Sequence, residues 1–534
     1  MNRREFLMSA GAVAVVGCTT VKGGSGCADK PQRNVKSSAA ADPYPPPKEL
    51  GTRFNPTAVN IARTMEKLEK STAEKPATVR ILFYGQSVVA QDWTDRLVAM
   101  MRRRYPTANI IAEKRAIGGF TSERLWRTAY TDVYPYYPDL LFFHVWGDVS
   151  FYEELVRRTR EVTTADIVLW SSHLRSYEDK HAYLARPSHD ERLNGMAAVA
   201  EKYKCMWIDL NRKWCDVVLA HGKEPQWLLA DTVHLNSEPG NPAFDYYAGF
   251  IGEDLSFAET DAPSPASGTI EEIPLDDPRV NRHENDGDWS VELDFDGNRV
   301  EAIWGGTGWS VGHVTLDGRE LKDVPGICYS TRASPVCTWR PFILYPGVGS
   351  NAVAEDWTLT FLEGTDPYGK PIHFRVDGSV TGFDGEGWST NRFVSKSGRV
   401  ILEVGDFNTE IYDYFCRRAM PSYKDERLID YFKSHLAKPG VKIYWKTLLA
   451  GASDPVSGGA GESTVLAQGF ENGPHRLSIK YPLGVEPGIS HGVVRGLKGF
   501  RVYRPAKTAY EPVSHEGDGS AVWKDIFKVD ASRK

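Results

Sequence analysis

Between residues 79 and 255 short apolar runs alternate with longer amphipathic stretches, and this alternation leaves few folds open to the chain. Strands buried on both faces read as continuous apolar runs, and helices placed between them force parallel pairing, since a parallel neighbour is reached only through a long crossover. The strand candidates are Val79 to Tyr84, Asn109 to Lys114, Asp139 to Val145, Asp166 to Trp170 and Met206 to Leu210. Trp93 to Tyr105, Ser122 to Tyr130, Tyr152 to Val162, Arg192 to Tyr203 and Ala243 to Leu255 have helical character. The expectation is an α/β, three-layer parallel-sheet domain over residues 59–258.

Beyond about residue 260 the texture becomes β-rich. Asp296-Gly297, Asp317-Gly318, Asp377-Gly378 and Asn472-Gly473 each lie between apolar or alternating runs and read as hairpin turns. Val291 to Phe295, Trp357 to Phe361, His373 to Val376 and Val400 to Val404 are strand candidates, and Asp425 to His435 is a helix-like interruption. These imply two packed, jelly-roll-like units, a β-sandwich module over 275–420 and a second β-rich module over 421–510, or else one larger sandwich, with a tail at 511–534. At 534 residues the chain exceeds what one core usually supports, which fits several domains.

The N-terminus reads as an address. Asn2 to Leu7, with Arg3 and Arg4, resembles a twin-arginine export signal, and Met8 to Gly17 is an apolar run too short to span a bilayer. Val15, Val16, Gly17 and Cys18 resemble a bacterial lipobox, which would make Cys18 the lipid attachment point. Residues 19–58, rich in Gly, Ser, Ala, Pro and Lys, read as a tether. The expected location is therefore outside the cytoplasm, periplasmic or at the cell surface, with the membrane reached only through the anchor. The net charge of -6, from 64 basic and 70 acidic residues, argues against nucleic acid as a partner. Export permits disulfides, and Cys328 with Cys337 is the pair most easily joined. No spacing of Cys and His suggests a zinc site.

Two short segments carry chemistry. Ile81 to Ser87 is an apolar strand entering a Gly85-Gln86-Ser87 turn, followed by a helix near Trp93. In an open parallel sheet, ligands bind outside the carboxyl ends of the strands, where this turn places Ser87. A serine hydroxyl needs a neighbouring base to act as a nucleophile. Asp231-Thr232-Val233-His234 supplies one: an Asp three residues before a His can hold the Nδ1 proton and leave Nε2 to accept from Ser87. Each segment alone is an ordinary turn or cap; their order on an α/β scaffold is what joins them.

Together they resemble the SGNH, or GDSL-like, serine hydrolase family over residues 78–256. Gly85-Gln86-Ser87 is similar to its first block and Asp231 to His234 to its last. Ile117 to Ser122 is similar to the block that lends a backbone amide to the oxyanion hole, which implies Gly119, with the Ser87 amide as a second donor. The third block departs from the family: Phe142 to Asp148 contains no Asn, so His144 is the candidate substitute, with Asp148 steering it or opening the next turn. Gln86 stands where the family has Asp, a position outside the triad.

The resemblance implies an esterase with Ser87, His234 and Asp231 as catalytic residues, requiring neither metal nor organic cofactor. Trp304, Trp309, Trp357 and Trp388 lie in or beside β segments, where an exposed ring could stack on sugar although most sandwich tryptophans are core. The β modules are similar to appendages of secreted carbohydrate-active enzymes, which points to an O-acyl ester, an acetyl group foremost, on a polysaccharide or oligosaccharide. The rivals are a lipase or thioesterase using the same triad, and a catalytically degenerate, surface-anchored glycan-binding protein. The oligomeric state is not legible.

Overall fold

The computed structural model describes residues 54–181, 191–258, 266–285, 288–305, 308–309, 312–334, 340–366, 371–409, 437–451, 457–458, 463–481 and 497–506. Cys18, the tether up to residue 53, Cys337, the helix-like segment Asp425 to His435 and the tail lie outside them.

Five parallel strands form the first sheet: β1 (Thr78–Gly85), β2 (Asn109–Lys114), β3 (Leu140–His144), β4 (Asp166–Trp170) and β5 (Met206–Ile208), in the order β2-β1-β3-β4-β5. The period of two divides each strand between two cores. Val79, Ile81 and Phe83 of β1 join Leu140, Phe142, Val168 and Trp170 on one face. Leu82, Tyr84, Leu141, Phe143, Ile167 and Leu169 line the other. Helices α1 (Ala62–Glu69), α2 (Trp93–Arg104), α6 (Leu210–Ala220) and α7 (Ala243–Leu255) serve the first core; α3 (Ser122–Asp132), α4 (Val149–Val162) and α5 (Glu191–Lys202) serve the second. This is the expected three-layer α/β domain.

Caps account for the shifted helix boundaries. Asp148 accepts from the Ser150 N–H at 2.7 Å and so starts α4 at Val149, three residues before Tyr152. Asp209 accepts from the Arg212 N–H, which makes Leu210 the first residue of α6 instead of the last of β5.

The β half is organised differently from the expected succession of modules at 275–420 and 421–510. One seven-stranded sheet combines β6 (Thr269–Pro274), β7 (Val280–Asn285), β8 (Asp288–Trp304), β10 (His313–Leu316) and β11 (Arg319–Glu320) with the late strands β21 (Ser463–Tyr481) and β22 (Leu497–Arg504). A two-stranded pair, β9 (Gly308–Trp309) with β20 (Ser457–Gly458), lies beside it in sequence. Nested between its halves is a second unit. It contains a five-stranded sheet of β12 (Cys328–Ser330), β14 (Glu355–Phe361), β15 (His373–Gly378), β16 (Gly382–Trp388) and β19 (Lys442–Leu449). A three-stranded sheet, β13 (Gly347–Val348), β17 (Phe393–Val394) and β18 (Val400–Leu402), faces it across a shared core of Trp357, Phe374, Ile443, Phe393 and Leu402. Long-range pairing of β8 with β21 sets the division, and local texture does not reveal it.

The same pairing corrects two of the expected turns. Asp317-Gly318 is a two-residue hairpin, with Leu316 opposite Arg319. Asp296-Gly297 and Asn472-Gly473 instead lie inside β8 and β21, with Gly297 opposite Gly473 next to a register shift. Asp377-Gly378 ends β15 beside a bulge. Cys328 carries a free thiol, and Cys337, its expected partner, lies outside the described residues.

Both β units press on the α/β domain through buried polar groups. Arg299 and Glu301 of β8 pair on the face opposite the hydrophobic Val300, Ala302 and Trp304, with the Arg299 guanidinium 4.9 Å from the Tyr137 ring. Asn298 links Tyr137 Oη (2.9 Å) to the Val162 carbonyl (2.9 Å). The nested unit holds α3: Arg127 grips Asp406 with two bonds of 2.7 Å, and Arg332 grips Asp132 at 3.1 and 2.6 Å. Leu344 joins the second core of the α/β domain.

Candidate active site

Strand β1 lies between β2 and β3, so its carboxyl end opens at the point where the strand order reverses. Gly85 makes the exit possible, because a β-carbon there would collide with the His144 carbonyl and crowd Val89 Cγ2. The turn is then pinned by Val89 N–H to Gln86 O (2.9 Å) and by Trp93 Nε1 to Val88 O (2.7 Å). Ser87 emerges half-buried at its tip.

His234 comes from a loop between α6 and α7. Leu229 and Leu235 bridge its base, and Ala230 N–H donates to His234 O at 2.8 Å. Asp231 organises the interior: Oδ1 accepts from the N–H groups of Val233 (2.8 Å) and His234 (2.7 Å), and Oδ2 accepts from His234 Nδ1 at 2.7 Å. Burial opposes ionisation of this carboxyl, but the bonds from the His234 ring and the two backbone amides prevail and pull it down to about 2. With Nδ1 donating to Asp231, Nε2 presents its lone pair to Ser87 Oγ at 2.8 Å. Ser87, His234 and Asp231 are thus brought into one chain of hydrogen bonds, the relation a serine nucleophile needs.

Ser87 Oγ has a second acceptor. Gln86 Oε1 lies 2.9 Å away and also accepts from the Val88 N–H at 3.0 Å, which fixes the amide orientation. One hydroxyl proton therefore has two destinations, Gln86 Oε1 and His234 Nε2.

The loop from Ile117 to Phe120 runs along the end of β1, with Ile117 N–H bonded to Gly85 O at 2.8 Å and Phe120 N–H to Ile117 O at 3.2 Å. Gly119 has φ +76°, a left-handed conformation that a side chain disfavours. Among the described residues no backbone acceptor takes up the N–H of Ser87 or of Gly119.

His144 does not occupy the expected oxyanion position. Its ring is fully buried and stacked on Trp170; Nδ1 donates to the Trp170 carbonyl at 3.1 Å and Nε2 faces Ser172 Oγ at 3.4 Å. Burial first, then the nearby charges of Arg192 and His173, push it down to about 3, so the ring is neutral and Nε2 has no proton to donate. Asp148 serves as the α4 cap and does not contact that ring.

Two supports escaped the sequence reading. Gln91, in the turn after Ser87, donates Nε2 to Leu235 O (3.0 Å) and accepts the Leu235 N–H at Oε1 (3.1 Å), tying the Ser87 turn to the His234 loop. His173, also fully buried, donates Nε2 to Val233 O at 2.7 Å. A Gln and a His among ordinary polar residues carry no spacing signal.

The nested β unit reaches this site as well. Arg340 Nε donates to Gly118 O at 2.8 Å, and a β-carbon on Gly119 would overlap Arg340 Nη2.

A doubly wound sheet with a Gly-x-Ser turn after its first strand and an Asp-x-x-His loop before the last helix has the SGNH-like hydrolase fold, here carrying two nested β units. No family model and no curated protein matches the chain. Among solved structures it is similar to CEX, a two-domain esterase active on acetylated mannans, at 12% identity and a TM-score of 0.31, over 84% of this chain and 95% of that one. It is also similar to Axe2, an acetylxylan esterase from Geobacillus stearothermophilus, at 15% identity and a TM-score of 0.29, over 34% of this chain and 97% of that one. The strand order and the Ser87–His234–Asp231 geometry are those of this fold.

Proposed function

We propose that the chain is an exported serine esterase that hydrolyses O-acyl esters, specifically acetyl groups on a polysaccharide or oligosaccharide. The carrying observation is the unbroken relay from Asp231 Oδ2 through His234 to Ser87 Oγ, at 2.7 and 2.8 Å. In this reading His234 Nε2 takes the Ser87 proton as Oγ bonds to the ester carbonyl carbon. The N–H groups of Ser87 and Gly119 stabilise the oxyanion, and the protonated His234 gives its proton to the departing alcohol. Water then repeats the sequence on the acyl-enzyme and releases the acid.

A carbohydrate substrate is favoured by the β units. Trp388 is half-buried, stacks on His373 at 4.3 Å between centroids, and lines an open groove with Glu386, Asn391, Arg392 and Lys396. An aromatic face amid polar groups suits a sugar ring. Trp304 and Trp357 are core residues, each with its Nε1 bonded to a threonine hydroxyl at 3.0 Å, and the Trp309 side chain lies outside the described residues. Export through the twin-arginine segment and lipidation of Cys18 complete the proposal.

The test is acetate release from p-nitrophenyl acetate and from acetylated xylan, mannan and pectin by a form lacking residues 1–18, beside Ser87→Ala and His234→Ala. Release by the wild type alone supports the reading. A folded wild type inert on every ester would leave the glycan-binding alternative. Alkyne-fatty-acid labelling of the full chain, abolished in Cys18→Ala, tests the anchor.

A further inference from the structure

We infer that Arg340, from the nested β unit, is a positioning residue that aims the Gly119 N–H at the oxyanion. The inference rests on the esterase reading above. A trans peptide is planar, and its C=O and N–H point in opposite directions. The Gly118–Gly119 peptide therefore has one orientational variable that matters: whatever holds the Gly118 carbonyl also directs the Gly119 N–H. Arg340 Nε holds that carbonyl at 2.8 Å from one side. Its Nη2 lies against the Gly119 α-carbon, in the space a side chain would need.

The rest of the loop leaves this plane free to turn. Ile117 is fastened by its N–H to Gly85 O, and Phe120 by its N–H to Ile117 O, but two glycines lie between those anchors. Gly119 is already left-handed at φ +76°, and glycine flips its peptide planes more easily than any other residue. A bond from a cation to the carbonyl is stronger than a neutral one and suits a plane that has to stay fixed.

The arginine is itself fixed by its surroundings. Arg332 on Asp132 and Asp406 on Arg127 clamp the nested unit to the far end and the middle of α3, the helix that follows the glycine loop. Arg340 is the third point of that clamp, at the amino end. The β unit on this account completes the catalytic machinery and does more than bind polymer.

The experiment compares wild type with Arg340→Ala, Arg340→Met and Arg340→Lys. Met retains the apolar stem and Lys the charge without the fork. Three quantities are read: kcat and KM on p-nitrophenyl acetate, the affinity of a small alkylboronic acid that forms a tetrahedral adduct on Ser87, and the thermal midpoint. The expected result for Ala and Met is a kcat lower by roughly tenfold to a hundredfold, below the loss from deleting a donor outright. KM should stay within about twofold, boronate affinity should fall in step with kcat/KM, and Lys should recover part of both. A wild-type kcat in Arg340→Ala would overturn the inference while leaving the esterase reading intact. So would a loss confined to KM or to polymeric substrates, which would make Arg340 a substrate contact, or failure of Arg340→Met to fold, which would make it a docking residue. A wild type that neither turns over nor binds the boronate would overturn the esterase reading and this inference with it.

Discussion

Asp231 makes three hydrogen bonds within one short loop, and that concentration separates it from an ordinary cap. Asp231→Asn keeps the shape but can present an N–H to the ring, which then holds the wrong tautomer; kcat should fall by about 10³- to 10⁴-fold with KM little changed, measured by steady-state kinetics on p-nitrophenyl acetate. The carboxyl lies at about 2, below its ordinary value of 3.8, so its stabilising bonds are fully present above about pH 4 and disappear as the pH falls toward 2. The two buried histidines act over a higher range. Desolvation lowers His144 to about 3 and His173 to about 4, while in the unfolded chain each returns to about 6.5. As the pH falls below about 6.5 the unfolded chain binds protons that the folded one refuses, so stability declines by about 1.4 kcal/mol per pH unit for each ring. Urea midpoints should therefore drop between pH 7 and pH 5, and His144→Gln should flatten the slope; a midpoint constant over that range would contradict the buried neutral rings.

Between elements, the critical join is the one Gln91 makes from the β1–α2 turn to the loop of His234. Gln91→Ala strips both partners from the buried Leu235 peptide, at a cost of about 1–3 kcal/mol, and frees the histidine loop to drift from Ser87. The expected result is a fall in kcat of about tenfold with a lower thermal midpoint; Gln91→Glu, which retains the acceptor, should lose less. Much of this architecture was legible in the sequence because its causes are local. Apolar runs bounded by turns gave β1 to β5, and the three-residue spacing of Asp231 and His234 is short enough to be read directly. Where tertiary context decides, local signals mislead. Asp-Gly and Asn-Gly mark hairpins when the flanking runs pair with each other, yet Gly297 and Gly473 pair across two long strands. His144 sits at the carboxyl end of β3 as expected, but the turn of its ring toward Trp170 depends on Ser172 and Trp170, which no pattern in β3 announces. Arg340 is 222 residues from the carbonyl it holds.

At the scale of the whole molecule, the α/β domain and the β units share buried charges, and neither is complete alone. Asp406 is fully buried beneath Arg127, and breaking such a pair from one side leaves an uncompensated charge, at about 3–5 kcal/mol. Asp406→Asn should lower the thermal midpoint sharply, and pairing Arg127→Met with Asp406→Leu should restore much of it, since an apolar pair replaces the buried ions. A chain ended at residue 258 would strip the partners from Arg127, Asp132 and the Gly118 carbonyl, so it should be poorly soluble and inactive. The central claim is that Ser87 is a nucleophile activated by His234. Treating the form lacking residues 1–18 with a fluorophosphonate and measuring its intact mass tests this most directly. The account predicts a single adduct, located on the Ser87 peptide and absent from Ser87→Ala and His234→Ala; a folded wild type that gains no mass, or an adduct that persists in Ser87→Ala, would contradict it.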